Sequence, residues 1–535
     1  MNAATGVTAG HGAGEFAGTG TLLRLALRRD RVLLPVWVLA VAGMVLSVPG
    51  PVRDLYDTAA ERAEFAASIT TNSSLRAMYG PAFSDSVGGL TVMRVGVFAA
   101  LFAAVMSLLV VIRHTRDEEE SGRQELLSAA RVGRRAPLTA TLLAAAVANT
   151  AIALLITAGL SGEGAAGALA LGLGVGGTGM FFAATAAIAA QLTGSGRLAK
   201  GLTAGALGTA FVLRAAGDSG TADGSSVLTW LSPLGWTENL RAFADERWWV
   251  PALFAAAVLV QGYVAYRLAA RRDLGMSFLP TRPGPAVGSL STAGALAWRL
   301  QRGSLYGWGG AFLAAGIVFG GITTGAADLV GNNESTQEIL QRMGGASGIT
   351  DAFLGTMATV FGMVAALFVV SSALRPHGEE TSGRAEPVLA GAIGRVRWAG
   401  GHLVIAFGGA VVLMLLSGAG LALGYGRDPA AVLGAALVQV PAVWVLGGIV
   451  VLLTGVSPRA APLAWGVAVA VLLVGWLGPA VDLPSWVLEL SPFGWLPRLP
   501  GEGMRWGAVL LQLALAAGLV TGGLAGLRRR DLGTG

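Results

Sequence analysis

The chain has 535 residues, of which 54% are hydrophobic and 13% are charged, and it carries a formal net charge of +6. Length alone would predict three or four soluble domains, but the apolar runs exclude that class because many are long enough to cross a bilayer core. The absence of cysteine excludes disulfides, thiol catalysis and cysteine-bound metals. Membrane orientation explains the arginine excess, so we expect no nucleic-acid partner.

The first part of the chain is predicted to form a tail and a six-span half. Residues 1–31 form the cytoplasmic tail, and TLLRLALRRDR places apolar and basic residues at the spacing of an interfacial helix. The alternative is an ordinary basic flank of the first span. Residues 32–270 form the first transmembrane half, with spans predicted at about 32–50, 92–112, 138–160, 166–191, 201–221 and 250–267.

The second part repeats this order. Residues 271–302 are predicted to be a cytoplasmic linker, residues 303–528 a second transmembrane half, and residues 529–535 a cytoplasmic tail. The second set of spans is predicted at about 305–327, 352–374, 399–421, 430–454, 460–480 and 506–527.

Sequence landmarks recur in the same order about 260 residues apart, which indicates two homologous halves. They are S-G-R-x-E at 121–125 and 382–386, [VI]-G-R at 132–134 and 393–395, L-S-P-[LF]-G-W at 231–236 and 490–495, and R-R-D-L-G at 271–275 and 529–533. The repeat also favours a span at 201–221, where Arg214 makes the pattern ambiguous, because its counterpart is uncharged. The predicted fold is an all-α polytopic membrane protein of about twelve transmembrane helices in two parallel six-helix pseudo-repeats.

Arginines concentrate in the loops 113–137 and 375–398, in the linker and in the final tail. By the positive-inside rule, both termini and both of these charged loops are predicted to be cytoplasmic. We therefore expect a multi-pass protein of a bacterial cell membrane.

The two charged loops are the main candidate sites. Four consecutive acids begin at Asp117, on the face where basic residues are expected, and a short helix here would suit a groove on a soluble partner. The alternative is a solvated spacer, but a duplicated motif favours docking. The predicted docking residues are Asp117, Glu118, Glu119, Glu120, Arg123, Glu125, Glu379, Glu380, Arg384 and Glu386.

The L-S-P-[LF]-G-W elements lie in predicted outer segments, just before the last span of each half. Proline and glycine interrupt a helix and tryptophan suits a membrane interface, so a re-entrant or surface-lying hairpin could close the outer end of a pathway. Simple interfacial anchoring is the alternative. The candidate gate residues are Pro233, Gly235, Trp236, Pro492, Gly494 and Trp495.

No enzyme chemistry is evident in the sequence. A G-x-x-x-x-G-K-[ST] phosphate loop is absent, so the chain is not expected to hydrolyse ATP by itself. The four histidines are scattered, and no catalytic or metal site is predicted. No pair of carboxylates lies inside a predicted span, as a proton relay would require.

Taken together, R-H-T-R-x-E-E-x-x-G-R-x-E-L at 113–126, its copy at 379–386 and the other repeats resemble the permeases of ABC-2-type exporters. The chain resembles in particular the fused actinobacterial permeases called exporters of polyketide antibiotics, or the tetronasin type. The resemblance implies that the charged loop of each half couples to a separate ATPase, and that outer re-entrant helices lie between spans 5 and 6. The second copy departs from the first, with Thr381 in place of Glu120 and Pro387 in place of Leu126.

The resulting hypothesis is an export permease for hydrophobic or amphipathic compounds such as antibiotics and drugs, working by alternating access between its halves. We expect a cytoplasmic ABC ATPase, acting as a homodimer, that carries ATP and Mg²⁺; no cofactor is expected in this chain. Membrane lipids and a hydrophobic small-molecule substrate are the other expected partners. The alternatives are an exporter of a lipid or cell-wall precursor, an ion-driven secondary multidrug transporter, and a membrane sensor or assembly protein.

Overall fold

The computed structural model describes residues 14–123, 132–273, 276–279, 290, 292–330, 345–477 and 484–531. Within these ranges the chain is helical and forms no β-strand. It divides into two compact units, Met1–Pro283 and Gly284–Gly535, which we call the first and second halves. The boundary falls within the predicted linker, although helix begins inside that linker at Ala293.

The first half begins with an amphipathic helix and a first apolar helix, which are followed by short helices. In chain order its helices are α1 Thr19–Arg29, α2 Leu33–Leu46, α3 Pro49–Leu55, α4 Ala59–Thr71, α5 Ser73–Tyr79, α6 Val87–Arg113, α7 Arg116–Glu120, α8 Ala136–Leu160, α9 Ala165–Leu192, α10 Gly196–Gly220, α11 Val227–Trp230, α12 Pro233–Asn239 and α13 Trp249–Arg271.

The second half follows a similar order of long and short helices. These are α14 Ala293–Val330, α15 Gly345–Ala373, α16 Arg375–Thr381, α17 Glu386–Leu389, α18 Arg395–Tyr425, α19 Pro429–Leu437, α20 Val440–Val456, α21 Ala461–Leu477, α22 Ser485–Leu488 and α23 Trp506–Arg529. Short 3₁₀ segments occur at Ser161–Glu163, Pro458–Ala460 and Pro492–Trp495.

Ten helices in the described ranges are long and apolar enough to cross a membrane. They fall on ten of the twelve predicted spans, which confirms an all-α polytopic membrane protein. The other two predictions fall on α10, which is long but carries charged residues, and on α21, whose apolar stretch is short. Residues 478–480, the end of the span predicted at 460–480, lie outside the described residues.

Helices α6, α8 and α9 pack together in the first half, and small residues bring α8 and α9 close to each other. A methyl group at Gly172 would lie 2.6 Å from the carbonyl oxygen of Ala153 in α8, so glycine permits this close approach. Beside this contact, the buried Asn149 side chain donates a hydrogen bond of 2.8 Å to Ser107 Oγ. Small residues and interhelical hydrogen bonds of this kind hold helices together in lipid, where burial of apolar surface gives little driving force.

In the second half, α14 and α18 meet along two glycine pairs with four-residue spacing. A methyl group at Gly316 would lie 2.6 Å from the Ser417 carbonyl oxygen, and one at Gly420 would lie 2.4 Å from that of Leu313. One turn further on, Gly320 and Gly424 make equally close approaches to the facing backbone. The two helices therefore pack with backbone against backbone.

Candidate functional site

The S-G-R residues of the repeated motif form the same turn in both halves. In the first half α7 ends at Glu120, and Gly122 follows with a left-handed φ of 70°. In the second half α16 ends at Thr381, and Gly383 has a φ of 69°. Each glycine N–H donates a 3.0 Å hydrogen bond to the carbonyl three residues earlier. Glycine adopts this conformation without steric cost, so the motif specifies the turn.

Two of the four consecutive acids hold the start of α10. Asp117 Oδ2 lies 2.8 Å from Lys200 Nζ, and Glu120 Oε1 accepts a 2.6 Å hydrogen bond from the backbone N–H of Gly196. The N-terminus of a helix has unpaired N–H groups and a partial positive charge, which carboxylates stabilise. These two acids therefore fix α10 against α7.

A third acid joins the N-terminal helix to residues 113–123, which we call the first charged segment. The second charged segment is residues 375–386. Glu118 pairs with Arg29 at the end of α1 and lies 3.5 Å from Arg123. The next residue after α1, the fully buried Asp30, lies 2.6 Å from His114 Nε2. Through these contacts α1 is attached to both the end of α6 and the start of α7.

The remaining acid, Glu119, makes a buried two-point contact with Arg272, which follows the last residue of α13. The two nitrogen–oxygen distances are 2.8 and 2.5 Å, and both side chains are less than a tenth exposed. Arg116 also lies 2.5 Å from Glu119. On the other side, Arg134 donates a 2.9 Å hydrogen bond to the backbone carbonyl of Arg272.

The same three positions meet in the second half. Arg530, which follows α23, makes two 2.6 Å hydrogen bonds to Glu380, and Arg395 donates a 2.5 Å hydrogen bond to the carbonyl of Arg530. Two recurring sequence landmarks, and the acid two residues before a third, thus converge at one place in each half. We call these clusters the Glu–Arg–Arg triads; their members are Glu119, Arg134 and Arg272, and Glu380, Arg395 and Arg530.

Outside the triad, the second copy lacks the charged anchors of the first. Gly378 and Thr381 stand where the first half has Asp117 and Glu120, and Glu379 pairs at 3.0 Å with Arg375 of its own helix. A cavity of about 30 Å³, room for one water, lies beside Glu380 and Arg530. The acid Glu379 thus pairs within its own helix, whereas its counterpart Glu118 pairs with Arg29 of α1.

The turn of each charged segment is exposed. The side chain of Arg123 is 55% exposed, and Arg384 and Glu386 are also exposed. Glu125 lies outside the described residues. Most of the acids predicted for docking are thus engaged within their own half.

The L-S-P-[LF]-G-W elements also repeat in three dimensions. The indole N–H of Trp236 donates a 2.7 Å hydrogen bond to the backbone carbonyl of Trp230. The indole N–H of Trp495 donates a 2.6 Å hydrogen bond to the backbone carbonyl of Glu489. The acceptor lies six residues earlier in both halves. Pro233 starts α12 and Pro492 starts a 3₁₀ turn, so each proline begins a short helix after a reversal. We call residues 226–240 and 485–496 the hairpin segments.

Glycine closes each hairpin segment. A methyl group at Gly235 would lie 2.1 Å from the carbonyl oxygen of Thr229, whereas one at Gly494 would lie 3.1 Å from that of Leu488. The first hairpin segment is the tighter of the two.

Sequence reasoning missed a buried charged cluster beside the first hairpin segment. Arg214 is fully buried in α10, with Nη1 3.2 Å from Glu238 Oε1 and 3.4 Å from Asp218 Oδ2. Arg76 donates hydrogen bonds of 2.9 Å to the carbonyls of Asp218 and Ser219, at the end of the same helix. Arg214, noted as an ambiguous charge within an apolar stretch, was the available signal.

The pKa of Glu238 is raised well above its ordinary value, mainly because the carboxyl group is buried. The nearby Arg214 lowers this pKa and the nearby Asp218 raises it, but burial has the largest effect. Glu238 lies in the short helix α12, outside the ten candidate spans. In the second half the positions 259 residues after Arg214, Asp218 and Glu238 hold Leu473, Leu477 and Pro497. The cluster is therefore a property of the first half alone.

Two similar helical halves, each with a charged turn at one end of its helices and a proline-started hairpin segment near the other, define a duplicated polytopic membrane protein. The chain is 42% identical over 544 residues to the multidrug efflux system permease protein Rv1217c of Mycobacterium tuberculosis, an alignment that covers 98% of this chain and 97% of that protein. The family model described as "Multidrug efflux system permease Rv1217c, C-terminal domain" matches residues 20–267 and 290–528. The chain therefore belongs to the multidrug efflux system permease family.

Proposed function

We propose that this chain is the membrane permease of an ABC-2-type exporter of the polyketide-antibiotic, tetronasin-type class. It moves hydrophobic or amphipathic compounds out of the cell, and a separate cytoplasmic ATPase drives it. The observation that carries the proposal is the duplicated turn, with the same left-handed glycine at Gly122 and Gly383 and an exposed arginine after each. Two equivalent turns suit a dimeric ATPase, which has two equivalent surfaces.

The turns, rather than the buried acids, are the proposed docking contacts. Arg123 and Arg384 project from their segments, whereas Glu119 and Glu380 are engaged in the triads. ATP and Mg²⁺ bind on the partner subunit, since the present sequence has no phosphate loop. This chain supplies the substrate pathway and the surface that receives the partner's movement.

The test is co-purification with ABC ATPase subunits of the same organism, beginning with any that is encoded beside this permease. The purified permease alone is expected to hydrolyse no ATP, and the complex is expected to form and to hydrolyse it. The double variant Arg123→Glu and Arg384→Glu should weaken the complex. The control is Arg459→Glu, an exposed arginine in a loop predicted to lie on the same membrane face. Hydrolysis by the pure permease, or equal ATPase binding by the double variant and the control, would contradict the proposal.

The buried Asp218–Arg214–Glu238 cluster favours a second candidate, an ion-driven secondary transporter. Buried carboxylates are what a proton-coupled mechanism needs, and this pair was not evident in the sequence. The two candidates are separated by dye efflux from vesicles that hold a proton gradient but no ATP. Efflux under those conditions, lost in Glu238→Gln, would support proton coupling over the ATPase-driven mechanism.

A further inference from the structure

The last helix of each half contacts the charged segment at one end and the hairpin segment near the other. In the first half this helix is α13, whose 23 residues give a length of about 35 Å. Arg272 follows its final residue and pairs with Glu119 of α7. The charged segment is therefore attached to the C-terminal end of α13 by a buried contact.

Aromatic packing attaches the opposite end of α13 to the first hairpin segment. The ring of Trp249, the first residue of α13, stacks on that of Trp230 with centroids 5.3 Å apart. One turn further on, Phe254 meets Trp236 edge to face at 5.2 Å. The helix thus bridges two segments that the sequence repeat singled out separately.

The second half has the same bridge with different chemistry at the hairpin end. Arg530 follows α23 and pairs with Glu380. Toward its other end, Gln512 donates a 2.6 Å hydrogen bond to the carbonyl of Pro492 in the second hairpin segment. An amide replaces the aromatic pairs, but the connection from charged segment to hairpin segment is the same.

We infer that α13 and α23 are rigid links that carry movement of the charged segments to the hairpin segments. The Glu–Arg–Arg triads are the contacts through which each charged segment moves its helix. This inference rests on the proposed function, because it takes the movement to come from a bound ATPase. Arg272 and Arg530 are positioning residues: they act through the helices that they terminate.

The geometry of the triad suits a contact that must keep the charged segment and the helix in a fixed relative position. Two parallel hydrogen bonds between a guanidinium and a carboxylate fix orientation as well as distance. A second arginine, Arg134 or Arg395, bonds the backbone carbonyl of the first, so the contact involves the main chain as well as the side chain. Within α13 and α23 the backbone hydrogen bonds make the helix stiff along its length.

The experiment measures movement at the hairpin segments in the complex with the ATPase, reconstituted in lipid nanodiscs. The permease has no cysteine, so Ser225→Cys and Glu489→Cys, both exposed in or beside the hairpin segments, provide one reporter in each half. The partner's own cysteines are replaced beforehand. The labelling rate with a maleimide reagent is compared with and without MgATP. In the parent complex the two rates are expected to differ.

Arg272→Gln and Arg530→Gln are expected to bring the ratio of these rates to one at the reporter of the same half, while the ATPase still binds and hydrolyses ATP. Matched controls come from the preceding residues, since Arg271→Gln and Arg529→Gln remove the same charge from exposed side chains. These controls should keep the parent ratio. An unchanged ratio in Arg272→Gln and Arg530→Gln would overturn the inference alone. Failure of the parent permease to bind any ABC ATPase would overturn the proposed function, and this inference with it.

A cysteine pair keeps the test decisive if loss of the arginine disturbs folding. In Glu380→Cys with Arg530→Cys, a short bifunctional thiol reagent replaces the ion pair with a covalent link, and the reporter at position 489 is an azide-bearing amino acid labelled with a strained alkyne, which does not react with thiols. The unlinked protein should have a ratio of one, and the linked protein should regain the parent response. If the linked protein stays unresponsive while it binds the ATPase, movement within the triad is required and the rigid-link inference is wrong.

Discussion

Arg214 Nη1 lies 3.2 Å from Glu238 Oε1, and the two side chains are 0% and 7% exposed. Burial raises the pKa of Glu238 above its ordinary value of 4.5, so the folded chain holds this proton more tightly than the unfolded chain does. By linkage, the contribution of Glu238 to stability is fully present below about pH 4.5 and is lost as the pH rises through the raised pKa.

Glu238→Gln is therefore expected to flatten this part of the pH dependence of thermal stability. The measurement is the unfolding midpoint in detergent at a series of pH values above 4.5, as the difference between the variant and the parent. Glu489→Gln, at an exposed position in the second hairpin segment, is the control and should follow the parent curve. Parallel curves for Glu238→Gln and the parent would show that Glu238 does not titrate in this range.

Removal of one partner from a buried ion pair should lower the free energy of unfolding more than removal of one partner from an exposed ion pair. Arg272→Gln removes the two-point contact to the buried Glu119, which keeps Arg116 at 2.5 Å, and should lower the free energy of unfolding by about 1.5–3 kcal/mol. Lys200→Gln breaks a pair whose side chains are 39% and 34% exposed, at a cost of less than about 1 kcal/mol. Thermal unfolding of the purified variants compares the two. Equal losses would mean that burial does not set the strength of these pairs.

The glycine contacts between α14 and α18 should tolerate no side chain. Gly316→Leu places atoms against the Ser417 carbonyl and should destabilise the second half by about 1–3 kcal/mol or more. Gly310→Leu lies on the same helix, where a methyl group meets nothing within 4 Å, and should be nearly neutral. Expression level and unfolding midpoint measure both. A stable Gly316→Leu protein would contradict the backbone-to-backbone packing.

The hairpin segments should differ in their tolerance of an added methyl group. Gly235→Ala forces a backbone contact of 2.1 Å with Thr229 and should disrupt the first hairpin segment, whereas Gly494→Ala meets Leu488 at 3.1 Å and needs only a small shift. Protease sensitivity of the two variants provides the comparison. Equal sensitivity would contradict the difference in tightness.

The exposed turns should be accessible from the cytoplasm only. Ser121→Cys and Ser382→Cys lie at exposed positions in a chain without other cysteines. A membrane-impermeant maleimide should label neither in intact cells and both in inverted vesicles, as the arginine distribution predicts. Labelling in intact cells would reverse the predicted orientation.

The sequence predicted the helical fold well because its signals are local. Apolar runs of membrane length mark the spans, and repeated landmarks mark the two halves. The partners of the charged residues could not be predicted in this way, since Glu119 and Arg272 are 153 residues apart. Arg272 belongs to one repeated landmark and Glu119 lies two residues before another, so their recurrence as an acid and an arginine was the signal that could have paired them.

Other parts of the site depended on tertiary structure that the sequence does not encode locally. The four acids from Asp117 were expected to face a partner, but packing against α1, α10 and α13 provides them with internal partners. Arg214 made a span ambiguous because a charge costs free energy in an apolar helix. Its partner Glu238 lies 24 residues further on, so only the folded chain brings the compensating charge to it.

The assignment of the four consecutive acids to three different helices makes the first charged segment intolerant of insertion or deletion. One extra residue before Asp117 would turn each following side chain by about 100° and direct every acid toward the wrong neighbour. In the second segment the corresponding contact joins Glu380 to Arg530, and Gly378 and Thr381 replace two of the acids. Sequence drift and length variation should therefore accumulate in the second copy, while the first remains fixed in length and register.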